Sequence, residues 1–300
     1  MAKDPYWSNV VLTYPFDGAD AFNAFTDLKG HSTTPVGDAK LSTARYKFGS
    51  ASLRLDGVEG LIEIAYSADL AMGSSDFTIE GWVWLDSDSS GGRFYGGGEI
   101  GGSIWPVLEF SVWPTGVHLL LNYANSNTAT TLYGGTVSVS EWHHVAATRW
   151  GNTLYLFLDG VQIDTKVWTY SVYNPSGKVC IGGYYNAGSV WASIKGNIDS
   201  VRVTKGVARY TANFTPPTEP FPNGPVEVGG TILDSNGSPI ARTVRVYDRL
   251  TGALVGSGAS NASSGTYSIG ISTANEVQVV MLDDDLGTLE NDQIIRTIPV

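Results

Sequence analysis

Three groups of residues in this 300-residue chain have the types and spacing for chemistry. The first lies in EWHHVAATRWGNTLYLFLDG, residues 141–160, which carries adjacent His143 and His144 and ends on Asp159-Gly160. A histidine positioned by an aspartate is the usual equipment of a general base. The second is a pair of carboxylates, Glu80 in DFTIEGWVWL and Glu109 in LEFSVW, each followed on alternate positions by tryptophan. Facing one groove, such a pair could cleave glycosidic bonds, at separations of about 5–5.5 Å for retention or about 6.5–9.5 Å for inversion. The third group is two acidic loops, LDSDSS with Asp86 and Asp88, and LDDDLGTLEND with Asp283, Asp284, Asp285, Glu290 and Asp292. Carboxylates so clustered could supply oxygen ligands to calcium.

Each group has a plainer explanation in the elements that must carry it. Asp159-Gly160 between alternating apolar residues is the signature of a type I′ hairpin turn. Such a turn sets Leu158 opposite Val161 and Leu156 opposite Ile163 on a core face, with Tyr155, Phe157, Gln162 and Asp164 on the other. Successive strand residues point to opposite faces, so His143 and His144 do not form a pair; one is expected inside and one exposed. The chain has no G-x-S-x-G elbow, and adjacent histidines lack the i, i+4 spacing of a helical zinc site. Neither acidic loop follows the D-x-[DN]-x-[DN]-G calcium pattern, so solvated turns are the expectation. No cofactor is required by these patterns; calcium, on Asp86 and Asp88, is the one metal left open. GGGEIG, residues 96–101, matches G-x-G-x-x-G, yet the alternation after it and Pro106 forbid the helix a nucleotide site needs; it reads as a glycine-rich loop.

The strand signals continue along the whole chain, in VLEFSVW, HLLLNY, IDSVRV, TVRVYD and VQVVML, separated by Gly, Asn, Asp and Pro. Thirty-six glycines, nine tryptophans and fifteen tyrosines against three methionines suit an all-β protein of many tight turns. The net charge of −11 argues against nucleic acid and against an anionic membrane surface. Cys180, the single cysteine, sits in the apolar run KVCIGGY and is expected to be a buried thiol. MAKDPYWSNV has no apolar core of a signal peptide, and no apolar run reaches the ~20 residues of a membrane helix. A cytosolically made protein is therefore expected. Five prolines in PPTEPFPNGP mark a stiff linker at 216–225, between a domain at 1–222 and a smaller one at 226–300.

In order along the chain, DFTIEGWVWL, EWHHVAATRWGNTLYLFLDGVQI, KVCIGGYYN and GNIDSVRVTKGVARYTANFTPPTEPFP resemble the laminin-G-like, concanavalin A-like lectin/glucanase jelly roll. The version they resemble is that of tailed-bacteriophage virion proteins, with GVARYT running into prolines as the most distinctive piece. The resemblance spans about residues 9–222 and implies two curved antiparallel sheets of about 14 strands. Beyond Pro225, VEVGGTILDSNGSPIARTVRVYD is similar to a transthyretin-like or carboxypeptidase-regulatory-like β-sandwich. The E-x-D-x-x-E strand motif of the jelly-roll glucanases and the sialidase aspartate box are both absent, so the expected role is binding rather than catalysis. Sugar rings stack on aromatics, which makes Glu80, Trp82, Trp84, Trp113, Trp168, Tyr184 and Trp191 the candidate carbohydrate-binding residues. Asp199, in GNIDSVRV, is expected to anchor a loop or cap a strand rather than bind metal. The resemblance implies a head-decoration or tail-associated protein on the virion exterior, partnered by capsid or tail proteins, by cell-surface glycans and by further copies of itself. The alternative is a purely structural decoration protein that binds no sugar, and the third reading is a depolymerase using Glu80 and Glu109.

Overall fold

The computed structural model describes residues 3–100, 103–122, 129–172, 177–186, 189–273, 275–282 and 293–297. The chain divides into two compact units: Asn9–Phe221, and a smaller one formed by Met1–Ser8 with Pro222–Val300. The division falls inside the proline-rich stretch. The acidic run 283–292 lies outside the described residues.

In chain order the larger unit contains β1 (Val10–Tyr14), β2 (Thr33–Val36), β3 (Lys40–Ser42), β4 (Ser52–Asp56), β5 (Leu61–Ile64) and β6 (Phe77–Leu85). Then come β7 (Gly92–Ile100), β8 (Ser103–Trp113), β9 (Gly116–Asn122), β10 (Ala129–Gly134), β11 (Trp142–Trp150) and β12 (Thr153–Leu158). The last are β13 (Val161–Val167), β14 (Val179–Ile181), β15 (Tyr184–Asn186), β16 (Ser189–Trp191) and β17 (Lys195–Lys205). One sheet runs β13-β12-β11-β6-β17-β4-β3, with β1 added along β17; the other runs β10-β9-β8-β7-β14-β5-β2. The pairings are antiparallel throughout, and β15 with β16 forms a separate hairpin. This is the all-β jelly-roll sandwich expected from the alternation. GGGEIG, by contrast, lies mostly within strand β7 rather than in a loop. Gly96 and Gly97 pair with Cys180 and Val179 there, and a Cβ on Gly97 would press on the backbone of 178–179. Cys180 is a buried thiol, as expected.

The two sheets enclose one apolar core. From the first sheet Phe77, Ile79, Val83, Leu85, Leu156 and Ile198 point inward; from the second, Leu108, Phe110, Val112, Leu119 and Ile181. What positions the site is the opposite, outer face of the first sheet. Its side chains form rows set by register. One row runs Lys40–Arg54–Asn197–Trp84–Trp142 across β3, β4, β17, β6 and β11. The next contains Asp199, Trp82 and His144, and the next Arg202, Glu80 and Ala146.

Asn197, Asp199 and Arg202 share that face only because β17 is bulged. Three steps along β17, from Asp199 to Arg202, span the two steps from Trp82 to Glu80, and Ser200 takes a left-handed φ of 48°. The extra residue inverts the alternation, so Val201 and Val203 still point into the core. Gly81 lies beneath the bulge, where a Cβ would meet the Ser200 carbonyl and Phe94.

In the smaller unit β18 (Val226–Thr231) pairs with β21 (Thr266–Ile271). β19 (Thr243–Asp248), β20 (Leu254–Ala259), β22 (Val277–Leu282) and β23 (Gln293–Thr297) form a four-stranded sheet ordered β20-β19-β22-β23. Its own core gathers Val228, Val244, Val246, Ile269, Val277 and Val279. Asp4 bridges to Pro225, and Lys3 pairs with Glu227.

Candidate functional site

The Asp159-Gly160 turn has φ values of 50° and 77°, both left-handed as a type I′ turn demands. Leu158 pairs with Val161 as expected, but a bulge between Leu156 and Phe157 sets Leu156 opposite Asp164 instead of Ile163. Val161 is exposed and Ile163 only partly buried, so the expected four-residue core face is reduced to Leu156 and Leu158 with Ile163 against them. Phe157, expected on the open face, is fully buried. Its cover is residues 207–221, whose Tyr210 and Phe214 stack on each other at 3.6 Å and meet Phe157 edge-on.

Asp159 does more than turn the chain. It accepts the His144 amide at 2.8 Å and holds His143 Nδ1 at 2.7 Å. His143 Nε2 lies 2.9 Å from Ser138 Oγ, which completes the connectivity of a Ser-His-Asp triad. The electrostatics oppose that role. Burial lowers the His143 pKa, but the hydrogen bond and charge of Asp159 and the charge of Glu141 outweigh it and raise the pKa. An imidazolium donates through Nε2 and cannot take up a serine proton. The Ser138 hydroxyl already donates to Glu141. The group ties the loop before β11 to the β12–β13 turn. Both histidines are buried, which corrects the expectation that one is exposed.

His144 sits among Trp82, Tyr210, Phe214 and Phe221, with Nε2 at 3.4 Å from Glu80 Oε2 and not aligned for a hydrogen bond. Glu80 is fully buried. Its Oε1 accepts Arg202 Nε at 3.0 Å and Nη2 at 2.8 Å, and its Oε2 accepts the Tyr210 hydroxyl at 2.8 Å. Burial raises the Glu80 pKa, but Arg202, His144 and Arg209 outweigh it and hold the carboxyl far below its ordinary range. Glu109 lies on the outer face of the other sheet, bonded to Arg93 at 2.6 Å and Ser111 at 2.7 Å. Burial raises it too, yet His118, Arg93 and Ser111 bring it down to about 2. Stacked sheets are about 10 Å apart, and these carboxylates point away from each other across that thickness. They cannot flank one bond.

The candidate aromatics divide sharply. Trp82 is buried between Phe48 and His144, with Lys47 Nζ 3.9 Å above its ring. Trp168 is part of the core, and Tyr184 is buried under the Arg93 guanidinium. With Glu80, these three are withdrawn from any ligand by the loops and side chains that cover them. Trp113 is half-buried on β8 and Trp191 is exposed on the β15–β16 hairpin. Trp84 lines a pocket.

That pocket, of about 580 Å³, is lined by Trp84, Arg45, Arg54, Asp86, Asp88 and Asn197, with Ser42, Ser87 and Ser140 at its margins. Its floor is the first outer-face row; the loop before β4 brings in Arg45, and the loop after β6 brings in Asp86 and Asp88. Asp86 receives Arg45 Nη1 at 3.1 Å and Arg54 Nη2 at 2.6 Å. Asn197 Oδ1 receives the same two guanidiniums at 3.3 and 3.4 Å, while its Nδ2 donates to Ser52. Asp88 pairs with Lys195 at 2.5 Å. Asp86 and Asp88 thus face cationic side chains, and no three potential metal ligands converge among the described residues. A second cavity, of about 380 Å³, is walled mainly by Phe16, Phe22, Phe25, Leu28 and Leu41.

Asp199 is buried and anchors a loop, as expected: its Oδ2 accepts the amides of Lys47 at 2.6 Å and Phe48 at 3.1 Å. Burial drives its pKa up to about 7, against those same hydrogen bonds. This bond holds the 43–50 loop, and with it Arg45, over the sheet. Arg45, Arg54 and Asn197 were not singled out in the sequence. They come from segments up to 152 residues apart, and only the strand order unites them.

The larger unit is thus a jelly-roll sandwich with a polar, tryptophan-bearing pocket on an outer sheet face. A family model described as Laminin_G_3, of the concanavalin A-like lectin/glucanases superfamily, matches residues 56–209. The chain belongs to this superfamily. Among solved structures it is similar to HCR D/C VPI 5995, at 10% identity over 98% of this chain and 71% of that one, with a TM-score of 0.50. It is also similar to domain 4 of AbnA, a GH43 extracellular arabinanase from Geobacillus stearothermophilus, in complex with arabinotriose. There the identity is 18% over 67% of this chain and 94% of that one, with a TM-score of 0.49. The CBM40 of the Ruminococcus gnavus IT-sialidase, bound to α2,3-sialyllactose, gives 19% over 46% and 80%, with a TM-score of 0.41. At these identities the likeness is one of fold. No curated protein matches the chain.

Proposed function

We propose that the larger unit is a non-catalytic carbohydrate-binding module and that its site is the Trp84 pocket. The observation that carries this reading is one pocket of about 580 Å³ that combines an indole with two guanidiniums, two carboxylates and an amide. Its size is within the ~300–1,000 Å³ of small-ligand sites, where a few placed polar groups give orientation. The phenylalanine-walled cavity offers a saccharide little to hydrogen-bond with. Both former candidates for a hydrolytic pair, Glu80 and Glu109, are held as ion-paired carboxylates on different sheets, which supports binding over cleavage. No metal enters this reading, since the Asp86 oxygens already accept two guanidiniums.

On the same proposal the chain is a virion protein of a tailed phage, placed on the particle exterior with capsid or tail proteins as partners. The support is the ordered resemblance ending in GVARYT and prolines. Either the smaller unit, read as a transthyretin-like sandwich, or the larger one is then the part that docks onto the particle. The test is binding of the purified chain to host surface polysaccharides, with and without chelator, alongside a search for the protein in purified particles. Saturable binding that survives chelation and disappears in Trp84→Ala is expected. Absence of binding to every glycan would overturn the carbohydrate reading, and absence from particles the virion reading.

A further inference from the structure

Resting on the carbohydrate reading, the pocket's own hydrogen bonds narrow the ligand. Trp84 is not an open platform: the Arg45 guanidinium lies 4.3 Å from its ring centroid, and Trp142 meets it edge-on at 6.0 Å. A sugar ring stacking on that covered face would first have to displace Arg45. The acceptors of the floor are likewise occupied. Asp86 uses one oxygen for each guanidinium, and Asn197 Oδ1 is shared between the same two. Donors remain in excess. Each guanidinium carries five N–H groups, and these contacts use two on Arg45 and two on Arg54. Three are left on each. Arg45 and Arg54 share Asp86, and Lys195 pairs with the pocket's other carboxylate, Asp88, so these five groups together keep one positive charge on a chain of net −11.

A site whose two carboxylates and amide oxygen all face cations, and whose guanidiniums keep three N–H groups each, takes a ligand rich in acceptors, and a guanidinium fork fits planar or tetrahedral oxyanions. We propose that this pocket selects acidic saccharides, those bearing a carboxylate or a sulfate ester, and that Arg45 and Arg54 make the selection. Trp84, Asp86 and Asn197 then act as the seat that holds both guanidiniums in place, so that little side-chain freedom is lost on binding.

The test uses the full chain and four polymers: polygalacturonate, the same polymer fully methyl-esterified, dextran sulfate and neutral dextran. Binding to polygalacturonate that falls with esterification and with added salt is expected, and the dextran sulfate arm tells carboxylate from sulfate recognition. Arg45→Gln and Arg54→Gln should each weaken binding by about tenfold or more, the scale of one charge-assisted contact, with unchanged melting temperatures. Arg45→Ala supplies an independent check, because it uncovers the indole. If the site is a stacking platform, that variant will bind neutral dextran more tightly than wild type does, and the proposal fails. Equal binding of esterified and free polygalacturonate would also overturn it, while leaving the carbohydrate reading intact. Failure of all four polymers and of every host glycan would bring down the carbohydrate reading itself.

Discussion

Replacing Glu80 with glutamine separates a structural carboxylate from a catalytic one. Glu80 is completely buried and makes hydrogen bonds to Arg202 and Tyr210, with His144 and Arg209 close by. Arg202 is itself almost wholly buried and lies against the Phe221 ring at 4.0 Å. Glutamine keeps the shape but strands that guanidinium without a counter-charge. Breaking a buried pair by removing one partner costs about 3–5 kcal/mol. For a unit of this size each kcal/mol lowers Tm by about 2–4 °C, giving a fall of about 6–20 °C. Eight of the nine tryptophans lie in the larger unit, so indole fluorescence during a melt reports on its transition. Arg202→Met completes a double-mutant cycle. The double variant should be more stable than the two single losses predict, because neither charge is then left alone. A loss below about 1 kcal/mol in Glu80→Gln, or strict additivity in the cycle, would refute the clamp. Saccharide binding below the lowered Tm should persist, since the pocket lies at the other end of the face.

Four further outcomes follow from the geometry. Asp159→Asn keeps the turn and an acceptor for the His144 amide but removes the charge that raises His143, so an NMR titration should show the His143 pKa falling. Because the wild-type His143 pKa is raised on folding, its contribution to stability is full below its unfolded value and is lost as pH rises through the folded one. Asp199, raised to about 7, acts in the same direction: its contribution is present below about pH 4 and is lost between there and pH 7. Denaturation midpoints of Asp199→Asn should therefore vary less over that window than those of wild type. Gly196 has φ of 157°, and a Cβ there would run into the Trp84 carbonyl; Gly196→Ala should lower Tm and abolish saccharide binding together. Chelation should leave binding unchanged, and a loss would return Asp86 and Asp88 to consideration as metal ligands.

The alternation in DFTIEGWVWL was enough to place Phe77, Ile79, Val83 and Leu85 inward and Glu80, Trp82 and Trp84 outward, as found. DG likewise marked its turn. Local pattern could not foresee what lies on top of an outer face. Trp82, Glu80, His144 and Phe157 are all on it, and each is buried by chain from elsewhere: the 43–50 loop above the first, residues 207–221 above the others. Bulges escaped notice for a related reason. One extra residue at Leu156–Phe157, or between Asp199 and Arg202, shifts register without changing composition. The available signal for the cover was the aromatic spacing Tyr210, Phe214, Phe221, too apolar for an exposed linker.

That cover also explains why the pocket is where it is. An outer sheet face bearing Trp84, then Trp82, then Glu80 and Phe157 in successive rows would be a broad, half-apolar surface if left open. The proline-rich tail closes one end, using Tyr210 and Phe214 on Phe157 and His144, with Glu80 accepting the Tyr210 hydroxyl and the Arg202 guanidinium. Asp199 draws the 43–50 loop down over the middle row through the amides of Lys47 and Phe48. The row of Arg54, Asn197 and Trp84 lies beneath neither the tail nor Lys47 and Phe48, and Arg45 is delivered to it by the same loop that Asp199 holds. Raising the pH from about 4 to 7 makes closure of that loop less favourable, because the closed position desolvates the Asp199 carboxylate by more than the Lys47 and Phe48 amides offset. If the pocket depends on Arg45 as argued, saccharide affinity should decline over the same range in wild type and not in Asp199→Asn. Affinity that falls equally in both would place the titrating group elsewhere.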